Sequence, residues 1–260
     1  MLSKTAMYIY ATVFAVLFLI IGKNFIACRS YMGGSGINAC TNLITFFPLN
    51  SVKVMGLKKR AKKYEGINKS FDAYNDYVRL IQSDKVMVAK YLNAEELLSV
   101  YERTAILALE LKEMDAAFEY SDCAIEKKSK LPEMYTIRGQ ENFNRNNYSE
   151  AIDDLNKVLA FGENTTAIKF TLGRAYMRLK NHKLAFEYLK AVAKEKEKDF
   201  DFNMVMGFFY YQQKQYDKSL KYYDVACRLD AASAICKKNR RRTKVKILEK
   251  LEQNSRGVFY

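Results

Sequence analysis

The sequence predicts an all-α protein built as an α-solenoid of stacked helical repeats, and three observations lead to this fold class. The stretch RGQENFNRNNYSEAIDDLNKVLAF recurs in similar form twice more, each time after 34 residues. Glycine falls on glycine in every copy, at Gly139, Gly173 and Gly207. The 260 residues include only 11 Gly and 2 Pro, and 49% are hydrophobic, so helix breakers are scarce. A fixed period of this length is typical of stacked repeats.

Four repeats can be aligned without a break over residues 98–233, and each position in a repeat is numbered as a slot from 1 to 34. Two helices can cross closely only where side chains are small, so slots 8 and 20 are expected to bring paired helices together. Larger residues in slots 4, 7, 11 and 24 would form the stripe that each repeat buries against its neighbour. The small slots 8, 20 and 27 hold, in chain order, Ala105, Gly139, Gly173 and Gly207; Ala117, Ala151, Ala185 and Ser219; and Ala124, Val158, Val192 and Ala226.

This slot pattern resembles the tetratricopeptide repeat (TPR) family, whose units are antiparallel helix pairs. The resemblance covers just over half of the chain. The first repeat departs from the family pattern, because Thr104 and Ser121 stand where large residues are usual. The proline expected at slot 32 is absent, and Pro132 instead opens the second repeat, where a first-turn proline is tolerated.

Residues 1–24 are predicted to form an N-terminal transmembrane or signal helix. The 18 uncharged residues from Thr5 to Gly22 would make a helix about 27 Å long, close to the thickness of a bilayer's hydrocarbon core. A cleaved signal peptide, a lipoprotein signal ending at Cys28 and a buried soluble helix are the alternatives. The resulting expectation is a single-pass membrane protein. A short N-terminal tail with a lysine favours an extracytoplasmic, periplasmic repeat domain over a cytosolic one.

The next segments are predicted as a linker and a weak repeat. Residues 25–63 are predicted as a linker with a basic run, and the glycine-rich stretch within it is flexible by composition. The short apolar patch from Leu43 to Leu49 could lie on the membrane or pack on the first helix of the soluble part, and six basic residues follow between Lys53 and Lys63. Residues 64–97 have helical spacing of apolar residues and are predicted as a degenerate helix pair before the array. Asn93 followed by Glu96 predicts a capping box at the start of the next helix.

Residues 234–260 are predicted as a basic capping helix and tail. A solenoid needs a polar cap over its last helix pair, and the basic run from Lys237 to Lys246 suits that role. The alternatives are attraction to anionic lipid, to an acidic partner or to RNA. The net charge of +14 agrees with some anionic partner, but no RNA-binding motif is present, so nucleic acid is not expected.

No catalytic, cofactor or metal site is expected, and the chain is interpreted as a non-enzyme. The one histidine, His182, occupies slot 17 at the turn within a repeat, where two other repeats have tyrosine. There is no phosphate-binding loop, no dinucleotide fingerprint and no cysteine pair with metal-ligand spacing. Cys28 and Cys40 could pair in an oxidising compartment. The remaining cysteines, Cys123 and Cys227 on second helices and Cys236 at the start of the cap, are expected to be free.

The TPR resemblance implies that the first helix of each repeat lines a groove through slots 2, 5, 9, 12 and 13. Large apolar side chains in these slots are expected to mark an interaction site, either for a separate protein or peptide or for another segment of this chain. The predicted groove residues are Glu102, Thr136, Gln140, Phe143, Asn144, Phe170, Arg174, Met177, Arg178, Met204, Phe208, Tyr211 and Gln212.

The expected function is that of a membrane-tethered TPR adaptor or scaffold, which binds a partner in this groove during assembly, transport or secretion. The alternative is a structural subunit of a larger membrane complex whose groove is permanently occupied. A third interpretation is an accessory protein of peptidoglycan or polysaccharide biosynthesis.

Overall fold

The computed structural model describes residues 4–30, 33–46, 50–83 and 85–256, within which fourteen α-helices and no strands occur. The helices are α1 (Lys4–Ser30), α2 (Gly34–Phe46), α3 (Asn50–Glu65), α4 (Ser70–Ile81), α5 (Lys85–Tyr91), α6 (Ala94–Glu110), α7 (Met114–Glu126), α8 (Pro132–Asn144), α9 (Tyr148–Ala160), α10 (Thr166–Arg178), α11 (His182–Val192), α12 (Phe200–Gln212), α13 (Tyr216–Leu229) and α14 (Ala234–Arg256). The chain divides within α8 into an N-terminal unit, Met1–Arg138, and a C-terminal unit, Gly139–Tyr260, and each is described by itself.

The helix boundaries repeat with the sequence period. First helices begin at Pro132, Thr166, Phe200 and Ala234, and second helices begin at Met114, Tyr148, His182 and Tyr216, so both series advance by 34 residues. The all-α fold of helical hairpins that the sequence predicts is therefore confirmed.

The turn inside each hairpin uses the same backbone device without glycine. The slot-15 residue adopts the left-handed conformation, with φ of 60° at Lys180 and 57° at Lys214. The Lys180 N–H donates to the Met177 carbonyl at 3.1 Å, and the Asn181 N–H donates to the Tyr176 carbonyl at 2.9 Å. These paired bonds close the end of the first helix as in a Schellman motif. A lysine in this conformation is strained, since glycine is the residue that adopts it freely.

Close approach within each hairpin depends on the slot-8 glycines. A Cβ added at Gly173 would lie 2.8 Å from Leu189 Cγ, and one at Gly207 would lie 2.7 Å from the Tyr223 ring. The Ser219 hydroxyl in slot 20 donates to the Gly207 carbonyl at 2.7 Å, which fixes the same crossing. Slots 8 and 20 therefore bring the helices together as expected, and slot 24 supplies the large side chain that fills the contact.

The unusual first repeat uses the same space differently. Ala105 replaces the slot-8 glycine and is fully buried, and Ser121 replaces the large slot-24 residue and is also fully buried. The Ser121 hydroxyl bonds to the Phe118 carbonyl at 2.8 Å, so its polar atom is satisfied inside the packed hairpin. The departure at Ser121 is thus a compensating exchange, in which a small residue in slot 24 leaves room for the Cβ of Ala105 in slot 8.

The N-terminal unit corrects the predicted linker, because residues 34–46 and 50–65 form helices α2 and α3. Glycine in this segment permits close packing rather than flexibility: Gly36 is buried, and a Cβ at Gly56 would lie 2.8 Å from Ile44 Cγ1. A disulfide between Cys28 and Cys40 joins α1 to α2. Part of the apolar patch of the predicted linker, at residues 47–49, lies outside the described residues.

A buried ion pair holds α2, α3 and α4 together. Arg60 donates from Nε and an Nη atom to the two carboxylate oxygens of Asp76 at 2.7 and 2.6 Å, and its other Nη atom donates to the Thr41 hydroxyl at 2.9 Å. The hydrogen bond to Asp76 raises the pKa of Arg60 despite the burial of its guanidinium. The helix pair that precedes the four repeats is therefore α3 with α4, and not a pair confined to residues 64–97. The short helix α5 is additional to this pair. The predicted capping box is confirmed by reciprocal bonds between Asn93 and Glu96.

The predicted anchor lies within α1, although residues 1–3 and several side chains at its start lie outside the described part. Among the helices of the described residues, none combines the length and apolar character needed to cross a membrane.

The capping helix α14 is attached covalently to the last repeat. Cys227 on α13 forms a disulfide with Cys236 on α14, and Cys123 is free. The expectation that Cys227 and Cys236 are free was wrong, because the turn between α13 and α14 brings their Cα atoms to 5.7 Å from one another. Cys236 occupies slot 3, which holds the buried Ile168 and Phe202 in earlier repeats. A short cysteine there packs less surface than these residues, and the covalent link supplements that contact.

Candidate functional site

The predicted groove residues fall into three groups by exposure. Gln140, Asn144, Arg178 and Gln212 are exposed; Glu102, Thr136, Arg174, Met204, Phe208 and Tyr211 are partly buried; and Phe143, Phe170 and Met177 are buried. Glu102 and Thr136 belong to the N-terminal unit, and all the others belong to the C-terminal unit. The structure therefore brings the predicted residues of the C-terminal unit together on α8, α10 and α12. This surface, with its continuation onto the equivalent positions of α14, is called the first-helix face.

A repeated contact builds the first-helix face. The guanidinium of Arg174 lies over the Phe143 ring at 4.5 Å from its centroid, and that of Arg242 lies over the Tyr211 ring at 4.9 Å. Both pairs join slot 9 of one repeat to slot 12 of the repeat before it. Between them, Phe208 in slot 9 packs against the cluster that contains Met177 in slot 12. Arginine, phenylalanine and arginine thus follow one another at equivalent positions along the face.

Arg174 is the most enclosed charge on this face. Its guanidinium also lies 5.5 Å from the centroid of Phe170, so two aromatic rings flank it. Burial lowers the pKa of Arg174, the nearby Asp201 partly offsets this effect, and the neighbouring Arg178 adds to it. Cation–π contacts of this kind hold an arginine in one orientation while leaving its N–H edge free to donate. The side chain is therefore preorganised to receive an anionic or carbonyl group.

Polar contacts fix the surroundings of Arg174. The Thr171 hydroxyl donates to Gln140 Oε1 at 3.2 Å, which links α8 to α10. The ammonium of Lys196 lies 4.8 Å from the centroid of Phe170. Phe170 itself belongs to a core cluster with Leu189, Val192, Phe202 and Met206. The face is therefore a supported surface and not a row of freely rotating side chains.

The burial of Phe143, Phe170 and Met177 changes what the sequence suggested about them. They were expected to face water, but they lie beneath the slot-9 side chains of the next repeat or in the hairpin core. The accessible residues are instead Arg174, Phe208 and their exposed neighbours. Sequence reasoning also missed Arg242, because the array was ended at residue 233. Continuing the 34-residue frame into α14 places Arg242 in slot 9 and identifies it.

His182 occupies a packing position. Its ring lies edge-on to Phe209 with centroids 6.2 Å apart, and its Nδ1 atom is buried without a hydrogen-bond partner. Within the described part of the chain, no group of three or more His, Cys, Asp or Glu side chains could hold a metal ion.

The hairpin geometry and the 34-residue register together define an all-helical solenoid with a TPR-like fold. In agreement, the tetratricopeptide repeat family profile matches residues 167–199, which form the third repeat. No curated protein sequence matches this chain.

Solved structures similar to this chain share the fold at low sequence identity. YrrB, described as a TPR protein with an unusual peptide-binding site, is 14% identical with a TM-score of 0.58, over 79% of this chain and 99% of that one. MamA AMB-1 is 15% identical with a TM-score of 0.54, over 71% of this chain and 95% of that one. A chain of the APC/C hetero-tetramer Cut9–Hcn1 is 15% identical with a TM-score of 0.50, over 80% of this chain and 39% of that one.

Proposed function

We propose that the protein is an adaptor or scaffold that binds an extended peptide segment of a partner protein on the first-helix face. The observation that carries this proposal is the ordered series of slot-9 side chains, Arg174, Phe208 and Arg242, each supported by the repeat before it. Arginine and aromatic residues are the types that supply most binding energy at protein interfaces. Their support from below reduces the entropy that ordering them on binding would cost.

The arrangement also suits a peptide more than a compact ligand. Slot-9 side chains recur once per repeat, so a bound chain would meet an equivalent side chain at each step along the face. Exposed Gln140, Asn144, Arg178 and Gln212 provide donors and acceptors beside these anchors, and an extended peptide backbone needs such partners. The structural similarity to YrrB, itself described as peptide-binding, agrees with this proposal.

The proposal extends to the compartment in which the adaptor works, for assembly, transport or secretion outside the cytoplasm and beside a membrane. Two disulfides support an oxidising compartment, since such bonds are rare in the cytosol. The apolar segment at 5–22 supports export or tethering, although no described helix is suited to span a bilayer. Whether the compartment is oxidising can be tested in acid-quenched cells, in which thiols are alkylated before and after reduction. Only Cys123 should react before reduction, and labelling of the other four cysteines at that stage would contradict it.

Peptide binding can be tested without knowing the partner. Panning a displayed random-peptide library on the full chain should enrich peptides whose affinity is then measured against variants. The Arg174→Ala, Phe208→Ala double variant should lose binding by more than tenfold, because hot-spot truncations commonly cost about 2 kcal/mol or more each. The Lys183→Ala, Lys190→Ala variant on α11 is the matched control, since both lysines are exposed on a second helix. Equal binding by both variants would place the function elsewhere.

A further inference from the structure

A cationic cleft lies in the N-terminal unit. Its volume is about 610 Å³, and it lies between α1, α3 and the start of α6. One wall is apolar and includes Phe25 and Met55. The lining side chains that carry charge are Arg29, Lys58, Lys59, Lys62, Lys63 and Glu96. Five cations therefore face one carboxylate inside a single concavity.

The folded chain brings these cations together against their mutual repulsion. The four lysines occupy adjacent turns of α3, where like charges four residues apart destabilise a helix. Arg29 comes from α1, next to the Cys28–Cys40 disulfide that joins α1 to α2. Lys58 pairs with Glu96, which also completes the capping box of α6. The single carboxylate is thus already engaged with one lysine, while Arg29, Lys59 and Lys62 add three further positive charges to the cleft.

The pKa of Lys59 reflects this crowding of positive charges. Burial lowers the pKa of Lys59, and the nearby charges of Arg29, Lys63, Lys58 and Lys62 lower it further. Burial alone lowers the pKa of Lys63. Charges that a fold holds together at a cost in stability are typical of ligand sites, where the ligand supplies the missing counter-charge.

We propose that this cleft binds a phosphate-bearing ligand. The excess of positive charge is greater than one carboxylate would neutralise, whereas phosphate groups carry more charge and accept several hydrogen bonds at once. Arginine offers a planar fork of donors and lysine a compact point charge, and proteins use both to bind phosphate. The apolar wall at Phe25 and Met55 would contact the uncharged portion of the ligand. The phosphate could belong to a soluble molecule or to the headgroup of an anionic lipid.

Two probes distinguish these sources, both used with the full chain. Calorimetry with inorganic pyrophosphate measures binding of a free phosphate. Sedimentation with phosphatidylcholine vesicles, with and without phosphatidic acid, measures binding of a phosphate displayed on a bilayer, and the vesicles without phosphatidic acid account for apolar attachment through α1. Binding of either phosphate probe supports the site, and the probe that binds more tightly identifies the source. Binding of neither probe overturns the proposal.

Charge variants locate the binding. Lys59→Gln with Lys62→Gln should weaken it by about fivefold for each charge removed. Lys237→Gln with Lys244→Gln removes the same net charge from exposed positions on α14 and should leave binding unchanged. Equal losses in both variants would show that net charge, and not the cleft, causes the binding. Lys62 is exposed, so the single Lys62→Gln variant keeps the test valid if the double variant does not fold.

A gain-of-binding variant provides the sharpest test. Among the described residues that line the cleft, Glu96 carries the one carboxylate, which Glu96→Gln removes. Glutamine still satisfies a capping box, so α6 should keep its N-terminus. Lys58 is then released from its ion pair, and phosphate affinity should rise about fivefold. An affinity that stays the same or falls in a folded Glu96→Gln protein would refute the site. These measurements do not involve the first-helix face, so their failure leaves the proposed peptide binding unaffected.

Discussion

Replacing Gly173 with alanine should reveal how tightly the third hairpin is packed. A Cβ at this position would lie 2.8 Å from Cγ and 2.9 Å from Cδ2 of Leu189, and 3.3 Å from its backbone nitrogen. Leu189 is fully buried, so its side chain cannot move into solvent to relieve these contacts. Overpacking of this kind costs about 1–3 kcal/mol. Alanine gains about 1 kcal/mol over glycine in helix propensity, so Gly173→Ala should destabilise the protein by roughly 0–2 kcal/mol.

The same substitution should have the opposite effect when Leu189 is shortened. Leu189→Ala removes Cγ and Cδ2 and should itself cost about 2–5 kcal/mol. In that background the two closest contacts no longer exist, so Gly173→Ala should stabilise the protein by up to about 1 kcal/mol. Urea unfolding of the four proteins, followed by circular dichroism, measures both effects. The difference in unfolding free energy between Glu187→Gly and Glu187→Ala, at an exposed position in α11, measures the propensity term alone.

The change of sign is the decisive result. If Gly173→Ala has the same effect in both backgrounds, within about 0.5 kcal/mol, then slots 8 and 24 are not coupled. The explanation given for the paired glycine and large residue, and for Ala105 with Ser121 in the first repeat, would then be incorrect.

Three further predictions test other parts of the fold. Lys180→Gly should raise the unfolding free energy by about 0.5–1 kcal/mol in urea unfolding, because it relieves a left-handed lysine, and no gain would contradict the strain. Asp76→Ala should cost about 3–5 kcal/mol, since it leaves Arg60 buried and unpaired, and a loss below 1 kcal/mol by the same assay would contradict this role. Burial raises the pKa of Tyr120 and Tyr223 to about 12, above the ordinary 10.0. Their contribution to stability is therefore complete below pH 10 and lost towards pH 12, so the melting temperature should fall there as tyrosinate absorbance rises.

The sequence predicted most accurately those features that are imposed once per repeat. A 34-residue period fixes where helices begin and which slots must be small, because each repeat packs against a copy of itself. The sequence predicted the exposure of Phe143 and Phe170 less well, because their burial depends on side chains that the next repeat packs against their rings. The linker prediction failed because composition cannot distinguish a glycine that loosens the chain from one, such as Gly56, that allows two helices to touch.

The high positive charge of the chain is used in two different ways, and the direction of the pKa shifts separates them. On α14, Arg240 pairs with Asp224 and Lys246 pairs with Glu249, and the hydrogen bond to Glu249 raises the pKa of Lys246. Cations stabilised by partners at an open surface suit a solvated cap over the last repeat. In the cleft of the N-terminal unit, burial and neighbouring cations instead lower the pKa of Lys59. A lysine whose charged form is disfavoured by the fold gains most from an added anion. The cleft, and not the more basic α14, is therefore the stronger candidate for the site of an anionic ligand.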